Sequence, residues 1–281
     1  MRSSSFVVFD TETTGLYPGY DQIVEIAASR FNNGETLGSF QTLVNPEREI
    51  PPEITAIHNI TNEMVADAPS GREATEKFLE FIGDDPLVAH NAPFDERFVS
   101  FNCHRNDIPA PANPIYDTLL LTRRLFPELR GYGLAFLTNV FGIPHETKHR
   151  GMPDVFGTRG VFMECIQRLE QMQITTRDQF EKWYGDPVRF SPDKYNLLVK
   201  LPEDYKPLKD CVERGDCLEV VYEDRGGART RRKIQPQGLY VAYGNLYITA
   251  YCYLREANRN FKLERIHAYQ VLEEKDDLAD H

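Results

Sequence analysis

The sequence predicts an α/β domain with a mixed central sheet, followed by a small all-β barrel domain. Strand and helix signals alternate up to about residue 173, which is typical of an α/β domain. From about residue 208 only short strand signals remain. The chain has 281 residues, enough for roughly two domains at about 150 residues each. We therefore expect one domain over 1–173, a linker over 174–207, a barrel over 208–275 and a tail over 276–281.

The first elements are a strand and a β-hairpin. Residues 5–9 are rich in β-formers, and residues 23–31 and 37–44 predict two further strands. Asn32-Asn33-Gly34 lies between those two and is a strong hairpin turn signal. The chain therefore begins with antiparallel pairing.

Helices then alternate with short strands. Ser70 and Glu73 predict a capping box, and the apolar residues behind them recur at helical spacing. Residues 87–89 predict a short buried strand. Residues 134–141 predict a helix that a glycine and a proline end, and another helix begins near Asp154. A hairpin followed by this alternation implies a mixed sheet.

The C-terminal part predicts a small barrel. The predicted strands are 218–222, 230–234, 239–243, 246–251, 261–263 and 269–272. Gly226-Gly227 and Gly244-Asn245 supply hairpin turns between them. Short strands of this number suit a barrel, which closes its own sheet edges. The stretch 174–207 is polar and contains four prolines, which indicates a linker, although its aromatic residues suggest that it packs on something.

Charge is unevenly distributed along the chain. The formal net charge is −11, which by itself argues against a nucleic-acid partner. Between Gly215 and Arg265, however, nine basic residues face six acidic ones. The barrel region is therefore basic and the remainder strongly acidic. A basic, tyrosine-rich barrel could bind single strands, and a solvated arginine face over a tyrosine-rich core is the alternative.

Targeting signals are not evident. The first ten residues contain a single four-residue apolar run, which is too short for a secretory leader. No run approaches the ~18 apolar residues that a transmembrane helix needs. Five cysteines without a Cys-x-x-Cys pair indicate reduced thiols. We expect a cytoplasmic protein without a membrane partner.

Four acidic residues form the main candidate site. Asp10 and Glu12 stand at i and i+2 at the end of the first strand, so both carboxylates share a face. Two carboxylates at such a short distance repel each other unless they are protonated or bridged by a cation. Carboxylate oxygens are hard ligands, which suit Mg²⁺ or Mn²⁺. Taken alone, the pair would be better explained as a solvated strand end followed by a turn. Asp95 follows the strand 87–89 near the start of a helix, where it could simply suit the helix dipole.

A histidine and a fourth acid follow later in the chain. His149 precedes Asp154 by five residues, which on one helix would put them ~140° apart. Gly151 and Pro153 instead suggest that His149 lies on a loop while Asp154 heads a helix. The loop could then fold the imidazole back beside the acids.

These segments resemble the DEDDh 3′→5′ exonucleases, the group that contains the proofreading subunit of bacterial replicative DNA polymerase. Residues 9–16 match the first motif, residues 88–95 the second, and His149 with Asp154 the third. The segments 57–61 and 117–127 resemble the family's His-Gly-Ile-Thr loop and the stretch after the second motif. The likeness covers residues 5–172 and implies an RNase H-like fold.

Two departures from the family pattern stand out. Members usually carry Ala-Leu between the histidine and the aspartate, and Ala after it, where this chain has Gly151-Met152-Pro153 and Val155. Asn59 replaces the usual glycine of the His-Gly-Ile-Thr loop. Neither removes a catalytic group, so the departures bear on loop mobility and substrate fit.

The resemblance implies a two-metal mechanism with Mg²⁺ or Mn²⁺. Asp10 would bridge both ions, Glu12 and Asp154 would ligate one, and Asp95 would hold the second through water. His149 would be the general base that takes a proton from the attacking water. The product would be a nucleoside 5′-monophosphate released from a 3′ end.

Substrate-binding candidates come from the same motifs. Leu16 and Phe94 could wedge against the terminal base, with plain core packing as the alternative. The backbone around Thr13 could hold the sugar, and His58 and Asn91 complete the set.

The C-terminal region resembles the WYL domain, a small Sm/SH3-like barrel. Arg232, Pro236 and the segment 259–266 match that domain, whereas its name-giving triplet is altered to Leu246-Tyr247-Ile248. The likeness covers about 208–275 and implies binding of nucleic acid or a nucleotide-like ligand. The contact candidates are Arg255, Arg259, Lys262 and Arg265.

The leading hypothesis is a bacterial 3′→5′ exonuclease whose second domain captures or senses the strand. DNA and single strands with a free 3′ end are favoured, and association with the nucleoid is compatible with this function. The alternatives are a catalytically idle nucleic-acid-binding regulator and a polymerase proofreading subunit.

Overall fold

The computed structural model describes residues 5–144, 150–195, 205–242 and 245–272. The chain divides into two compact units, Met1–Leu16 with Asp21–Pro192 and Tyr17–Tyr20 with Asp193–His281. The boundary at Pro192 lies inside the segment that we expected to be a linker.

The first unit contains a mixed five-stranded sheet, as predicted. Its strands are β1 (Ser5–Thr13), β2 (Ile23–Asn32), β3 (Glu35–Leu43), β4 (Leu87–Ala89) and β5 (Ile115–Asp117). Their order is β3-β2-β1-β4-β5. The pairs β1–β2 and β2–β3 are antiparallel, and the pairs β1–β4 and β4–β5 are parallel. The predicted hairpin turn is present, because Asn33 and Gly34 both adopt positive φ, as a tight turn of this kind requires.

Helices cover both faces of this sheet. The helices are α1 (Pro52–His58), α2 (Asn62–Val65), α3 (Gly71–Ile82), α4 (Pro93–Arg105), α5 (Thr118–Leu125), α6 (Leu134–Val140), α7 (Gly151–Gln171) and α8 (Arg177–Tyr184). Val7 and Phe9 of β1 pack in one apolar cluster with α3 and α4, whereas Phe6 and Val8 pack in another with α7 and α8. Because strand side chains alternate between faces, β1 is buried on both sides. The predicted capping box of Ser70 and Glu73 is confirmed.

The expected linker is structured in its first half. Phe180 and Tyr184 of α8 are buried in the second apolar cluster. Val188 pairs with Ile115, and Phe190 belongs to the first cluster. The prolines that suggested a linker therefore all follow a helix whose aromatic side chains cover the sheet. Burial of these aromatic side chains stabilises the fold of this segment, although its overall composition is polar.

In its described residues the second unit combines a five-stranded antiparallel sheet with a helix that precedes the sheet in the sequence. Its elements are α9 (Lys206–Arg214), β6 (Leu218–Glu223), β7 (Arg229–Ala242), β8 (Asn245–Cys252), β9 (Ala257–Lys262), a 3₁₀ turn (Leu263–Arg265) and β10 (Ile266–Val271). The strand order is β10-β6-β7-β8-β9. Over the described part of the chain, β9 and β10 do not pair, so the predicted closed barrel is not seen. The sequence signals also missed α9, whose Leu208 and Cys211 are buried in the core of this unit.

Two predicted strands are one continuous strand. The segments 230–234 and 239–243 both lie in β7, whose pairing with β8 shifts between Pro236 and Gly238. Proline has no N–H to donate to a sheet ladder, and an irregularity of this kind accommodates it without ending the strand. The predicted Gly244-Asn245 turn begins outside the described residues.

Two further sequence observations concern long apolar runs and cysteines. Within the ranges given above, no helix is long and apolar enough to cross a membrane. All five cysteines lie in those ranges, and no disulfide bond joins them.

Candidate functional site

Three of the predicted acids meet at one edge of the sheet. Asp10 and Glu12 lie near the C-terminal end of β1, and Asp154 lies in the first turn of α7. Each offers a carboxylate oxygen, and these oxygens lie within 4.8 Å of one another. The alternation of side chains along β1 points both of its acids toward α7.

Asp95 joins the first turn of α4 to the same strand. Its side chain is only 3% exposed. Its Oδ1 accepts hydrogen bonds from the main-chain N–H and the hydroxyl of Thr11, at 2.9 and 2.8 Å. Thr11 stands between Asp10 and Glu12 in the sequence, so the fourth acid is fixed relative to the first two.

Burial and mutual repulsion perturb these acids. Desolvation, with the charges of Asp95 and Glu12, raises the pKa of Asp10 well above its usual value. Desolvation and the charge of Asp154 raise the pKa of Glu12 to about 8. Desolvation also raises the pKa of Asp95 to about 7. Near neutral pH the cluster therefore favours either protons or a cation.

The donor set fits a hard divalent cation. Every donor in the cluster is a carboxylate oxygen, the ligand type that Mg²⁺ and Mn²⁺ prefer. The raised pKa values show that protein donors do not fully compensate the negative charge. Asp10, Glu12 and Asp154 are thus suited to hold a metal ion.

A fifth acid, which the sequence reasoning missed, lies beside the cluster. Glu25 of β2 stands opposite Glu12 in the strand register, and its charge further raises the pKa of both Asp10 and Glu12. It accepts a hydrogen bond from the main-chain N–H of Gly151 at 2.9 Å. Its position inside an apolar strand segment was the signal available in the sequence.

An open cleft of about 250 Å³ contains the cluster. It is lined by Asp10, Thr11, Glu12, Thr13, Gly15, Leu16, Ile54, Ile57, His58, His90, Asn91, Phe94, Asp95 and Asp154. Leu16 is 61% exposed, which excludes core packing for that side chain. Phe94 is half-buried and its ring lies 5.1 Å from that of Phe98, so it both packs and lines the cleft. Ile54 and Ile57 were not predicted as site residues.

His58 and Asn59 show how the loop after α1 is built. His58 is buried, and its Nδ1 accepts the main-chain N–H of Ile60 at 3.0 Å. The neutral ring therefore carries its proton on Nε2. Asn59 ends α1 with a φ of 59°, a left-handed conformation that asparagine tolerates better than most residues. The replacement of glycine at this position is thus compatible with the turn.

Asn91 and His90 are held by the start of α5. Asn91, at a φ of 61°, donates its main-chain N–H to Asp117 Oδ1 at 2.9 Å. His90 Nδ1 lies 2.9 Å from Thr118 Oγ1, and burial lowers the pKa of His90 to about 4. His90 is therefore neutral at physiological pH.

His149, the predicted general base, lies outside the described residues. The chain is described again from Arg150, and α7 begins at Gly151 rather than near Asp154. Asp154 consequently lies within the first turn of the helix instead of at its start.

The basic contact candidates all lie in the second unit. Arg255 and Arg259 are exposed, whereas Arg265 is half-buried in the 3₁₀ turn. Lys262 forms an ion pair with Glu264. Arg232, which matched the domain pattern, stacks over the rings of Tyr222 and Phe261 at 5.4 and 5.9 Å.

Comparison with known families gives two matches. The family model described as "Exonuclease" matches residues 7–162, and the model described as "WYL domain" matches residues 203–271. The DNA polymerase III PolC-type of Staphylococcus haemolyticus (strain JCSC1435) is 33% identical over 211 residues, which is 74% of this chain. The protein of the same name from Staphylococcus aureus is 32% identical over the same length. The chain spans about 15% of the length of these relatives.

Solved structures give a similar result. Exonuclease I of E. coli in complex with a dA16 oligonucleotide has a TM-score of 0.53 at 18% identity, over 88% of this chain and 55% of that chain. That likeness concerns the fold. Exonuclease X in complex with 5′ overhanging duplex DNA is 30% identical, over 64% of this chain and 99% of that chain, with a TM-score of 0.49. The mixed sheet is consistent with an RNase H-like exonuclease fold.

Proposed function

The chain belongs to the exonuclease family, and from that membership we propose that it hydrolyses nucleic acid from a free 3′ end and releases nucleoside 5′-monophosphates. One observation carries the proposal: Asp10, Glu12 and Asp154 bring their carboxylate oxygens within 4.8 Å of one another inside an open cleft. The four acids of the family's motifs are all present, which disfavours a catalytically idle regulator.

The acids would hold two divalent cations, Mg²⁺ or Mn²⁺. Asp10 is central to this assignment, because the charges of Asp95, Glu12 and Asp154 all act on it. When bound, the cations would stabilise negative charge on the attacking and leaving oxygens of the phosphodiester. The two hydrogen bonds from Thr11 orient the carboxylate of Asp95 and oppose the rise in its pKa that burial causes.

His149 is the proposed general base. It directly precedes Arg150, whose guanidinium pairs with Glu25 next to the cluster. An imidazole with an ordinary pKa accepts a proton from water near neutral pH. His90 lines the cleft but fits this role poorly, because burial lowers its pKa to about 4.

The rim of the cleft would bind the terminal nucleotide. Leu16 and Phe94, with Ile54 and Ile57, offer apolar contacts for a base. His58 would shape the cleft from beneath its surface, because its ring is buried, and Thr13 and Asn91 would contact the sugar and phosphate from the cleft wall. DNA is favoured as substrate because the curated relatives are named DNA polymerases.

The second unit would bind the strand or a nucleotide-like ligand. Its match to the WYL domain model and its nine basic residues against six acidic ones between Gly215 and Arg265 support this role. Arg255, Arg259, Lys262 and Arg265 are the proposed phosphate contacts. We assign residues 1–173 to the exonuclease domain and 208–275 to a WYL domain, whose described strands form an open five-stranded antiparallel sheet.

A polymerase-associated role is the second candidate. It is favoured by the 33% identity to DNA polymerase III PolC-type over 74% of this chain. Stable co-purification with a polymerase catalytic subunit would support a proofreading role. A nuclease that purifies alone and acts without a polymerase would support a separate enzyme, located in the cytoplasm with its substrate.

The test of the main proposal uses the purified full chain with Mg²⁺. Oligonucleotides of one sequence, labelled at the 5′ end, are compared as single- and double-stranded DNA and as RNA. We expect ladders that shorten from the 3′ end, fastest with single-stranded DNA, and 5′-monophosphates as products. The Asp10→Asn variant should give no ladder. Shortening from the 5′ end, or equal digestion by Asp10→Asn, would contradict the proposal.

The phosphate contacts are tested by salt dependence. Arg255→Ala with Arg259→Ala is compared with Arg231→Ala, whose exposed guanidinium pairs with Glu219. Each lost phosphate contact should reduce the slope of log affinity against log salt by about 0.7 for single strands. An unchanged slope in the double variant would remove these arginines from the interface.

A further inference from the structure

Glu25 is a buried carboxylate with an unusual set of donors. Its side chain is 1% exposed, and it lies in β2 directly opposite Glu12. Gln41 of β3 donates to its Oε1 at 2.9 Å, and Arg150 lies 3.3 Å from the same oxygen. The main-chain N–H of Gly151 donates to Oε2 at 2.9 Å. Both oxygens of Glu25 are thus occupied by neighbouring donors.

A buried carboxylate beside other acids costs folding free energy. Burying a charge requires good hydrogen bonds, and here the nearby acids add repulsion. The charge of Glu25 raises the pKa of Asp10 and of Glu12, so it makes the cluster harder to keep ionised. Glu25 must therefore contribute to the site by holding in place the groups that donate hydrogen bonds to it.

Two of its donors belong to the start of α7. This helix begins at Gly151, and its N-cap residue, Arg150, makes no side-chain hydrogen bond to the helix. The first N–H groups of a helix lack partners within the helix and carry partial positive charge. Glu25 supplies the missing acceptor from a strand that is 126 residues away in the sequence. It therefore acts as an N-cap provided by the sheet.

The contact between α7 and β2 is close. A Cβ at Gly151 would lie 2.6 Å from Cβ of Ala27 and 3.1 Å from Oε2 of Glu25. Gly151 does not have a positive φ, so space rather than backbone conformation requires the glycine here. Asp154 follows three residues later, within the same first turn. The position of this turn on β2 thus sets the distance from Asp154 to Asp10 and Glu12.

We propose that Glu25 is a positioning residue, which caps α7 from β2 and thereby holds Asp154 in the metal-binding cluster with Asp10 and Glu12. It does not itself touch the metal ions or the substrate. This inference rests on the proposed function in so far as the cluster binds divalent cations. Arg150 and Gly151 are the groups through which it acts.

The test compares two charge-neutralising variants of the full chain. Glu25→Gln removes the charge and keeps the size of the side chain. Asp85→Asn is the matched control, because Asp85 accepts from Arg30 Nε at 2.7 Å and lies near Ser5, at the opposite end of β1 from the cluster. Calorimetric titration with Mn²⁺, thermal unfolding without metal, and kcat and KM on single-stranded DNA are measured for each.

We expect Glu25→Gln to weaken Mn²⁺ binding by about tenfold and to lower kcat by roughly 10- to 100-fold, the range known for residues that orient metal ligands. KM for DNA should stay within about twofold, because the substrate does not contact Glu25. Asp85→Asn should lower the unfolding temperature and leave Mn²⁺ affinity and kcat unchanged.

If Glu25→Gln affected only the unfolding temperature, as in the control, Glu25 would be merely structural and the inference would fail. If wild-type protein binds Mn²⁺ but digests nothing, the proposed function fails, and the Mn²⁺ affinities still decide the role of Glu25. Should Glu25→Gln not fold, Arg150→Gln removes only the ion pair. It should weaken Mn²⁺ binding severalfold, and an unchanged affinity would overturn the inference.

Discussion

Thr11 donates both its main-chain N–H and its hydroxyl to Oδ1 of Asp95, at 2.9 and 2.8 Å. This pair of bonds connects β1, which carries two acids of the cluster, with the first turn of α4, which carries the fourth. It fixes the carboxylate of Asp95 relative to β1. The arrangement makes Thr11 important for both stability and metal binding.

We expect Thr11→Val to lower kcat by about tenfold, as for other residues that orient metal ligands. It should also destabilise the protein by about 1–3 kcal/mol, because a buried carboxylate loses one hydrogen bond. Steady-state kinetics and urea unfolding measure the two effects. Thr11→Ser, which keeps the hydroxyl, should restore most of the activity. Equal losses in both variants would contradict the hydrogen-bond explanation.

The metal-free protein should lose stability as pH rises. The pKa of Asp10 is raised, that of Glu12 is about 8 and that of Asp95 about 7, all above the values of an unfolded chain. The folded state therefore binds more protons than the unfolded state between about pH 4 and pH 8. The contribution of these three acids to the free energy of unfolding therefore falls as pH rises through this window, and it outweighs the opposite contribution of His90, whose pKa is lowered from 6.5 to about 4.

Urea unfolding in EDTA at several pH values measures this fall. Saturating Mg²⁺ should reduce it, since a bound cation replaces the protons and stabilises the folded state. Asp10→Asn should also flatten the dependence, because one repelling charge is removed. A metal-free protein that gains stability from about pH 5 to pH 8 would show that these acids are not perturbed as described.

His149→Ala should abolish metal-dependent digestion without unfolding the protein. Loss of a general base typically costs roughly 10²- to 10⁴-fold in rate. The measurement is single-turnover digestion of single-stranded DNA, with circular dichroism as the control of folding. His90→Ala is not a suitable control, because His90 lines the cleft. Wild-type-like turnover would exclude His149 as the base.

Asp117 should matter for stability more than for chemistry. Its Oδ1 accepts the main-chain N–H groups of Leu119 and Asn91, both at 2.9 Å, so it caps α5 and fixes the loop before α4. Asp117→Ala should destabilise the protein by about 0.5–2 kcal/mol, as for other N-caps. The rate should fall by much less than in Asp10→Ala. A loss as large as that of Asp10→Ala would make Asp117 a fifth ligand.

Leu16→Ala should raise KM and leave stability unchanged. The side chain is 61% exposed at the cleft, so its removal creates no cavity, and surface changes usually stay within about 0.5 kcal/mol. Leu37→Ala is the matched control, since Leu37 is 59% exposed on β3 and does not line the cleft. If both variants keep the wild-type KM, Leu16 does not contact the substrate.

Local patterns predicted much of the fold. The Asn33-Gly34 turn, the capping box of Ser70 and Glu73, and the strand Leu87–Ala89 depend on interactions within a few residues, and all three are present. Helix α8 was missed because its sequence is polar apart from the aromatic residues that it buries. Helix α9 was missed because few of its residues are apolar, and the core of the second unit buries its Leu208 and Cys211.

The sequence predicted the candidate site as a series of motifs along the chain. The structure shows that three of its acids, Asp10, Glu12 and Asp154, lie close together. Residues that belong to no motif were missed. Glu25 stands out in the sequence only as a charged residue inside an apolar strand segment, and its hydrogen bond with Gly151 joins residues that are remote in the sequence. Ile54 and Ile57 are ordinary helix residues until α1 is placed beside the cleft.

By itself the sequence determined that Asp10 and Glu12 lie on one face, because acids at i and i+2 on a strand share a face in any fold that contains that strand. Only the tertiary structure decided their energetics. The raised pKa values of Asp10 and Glu12 require burial and neighbouring charges from β2, α4 and α7. Burial and Coulomb interactions depend on distances in space between segments far apart in the chain, and no local pattern contains those distances.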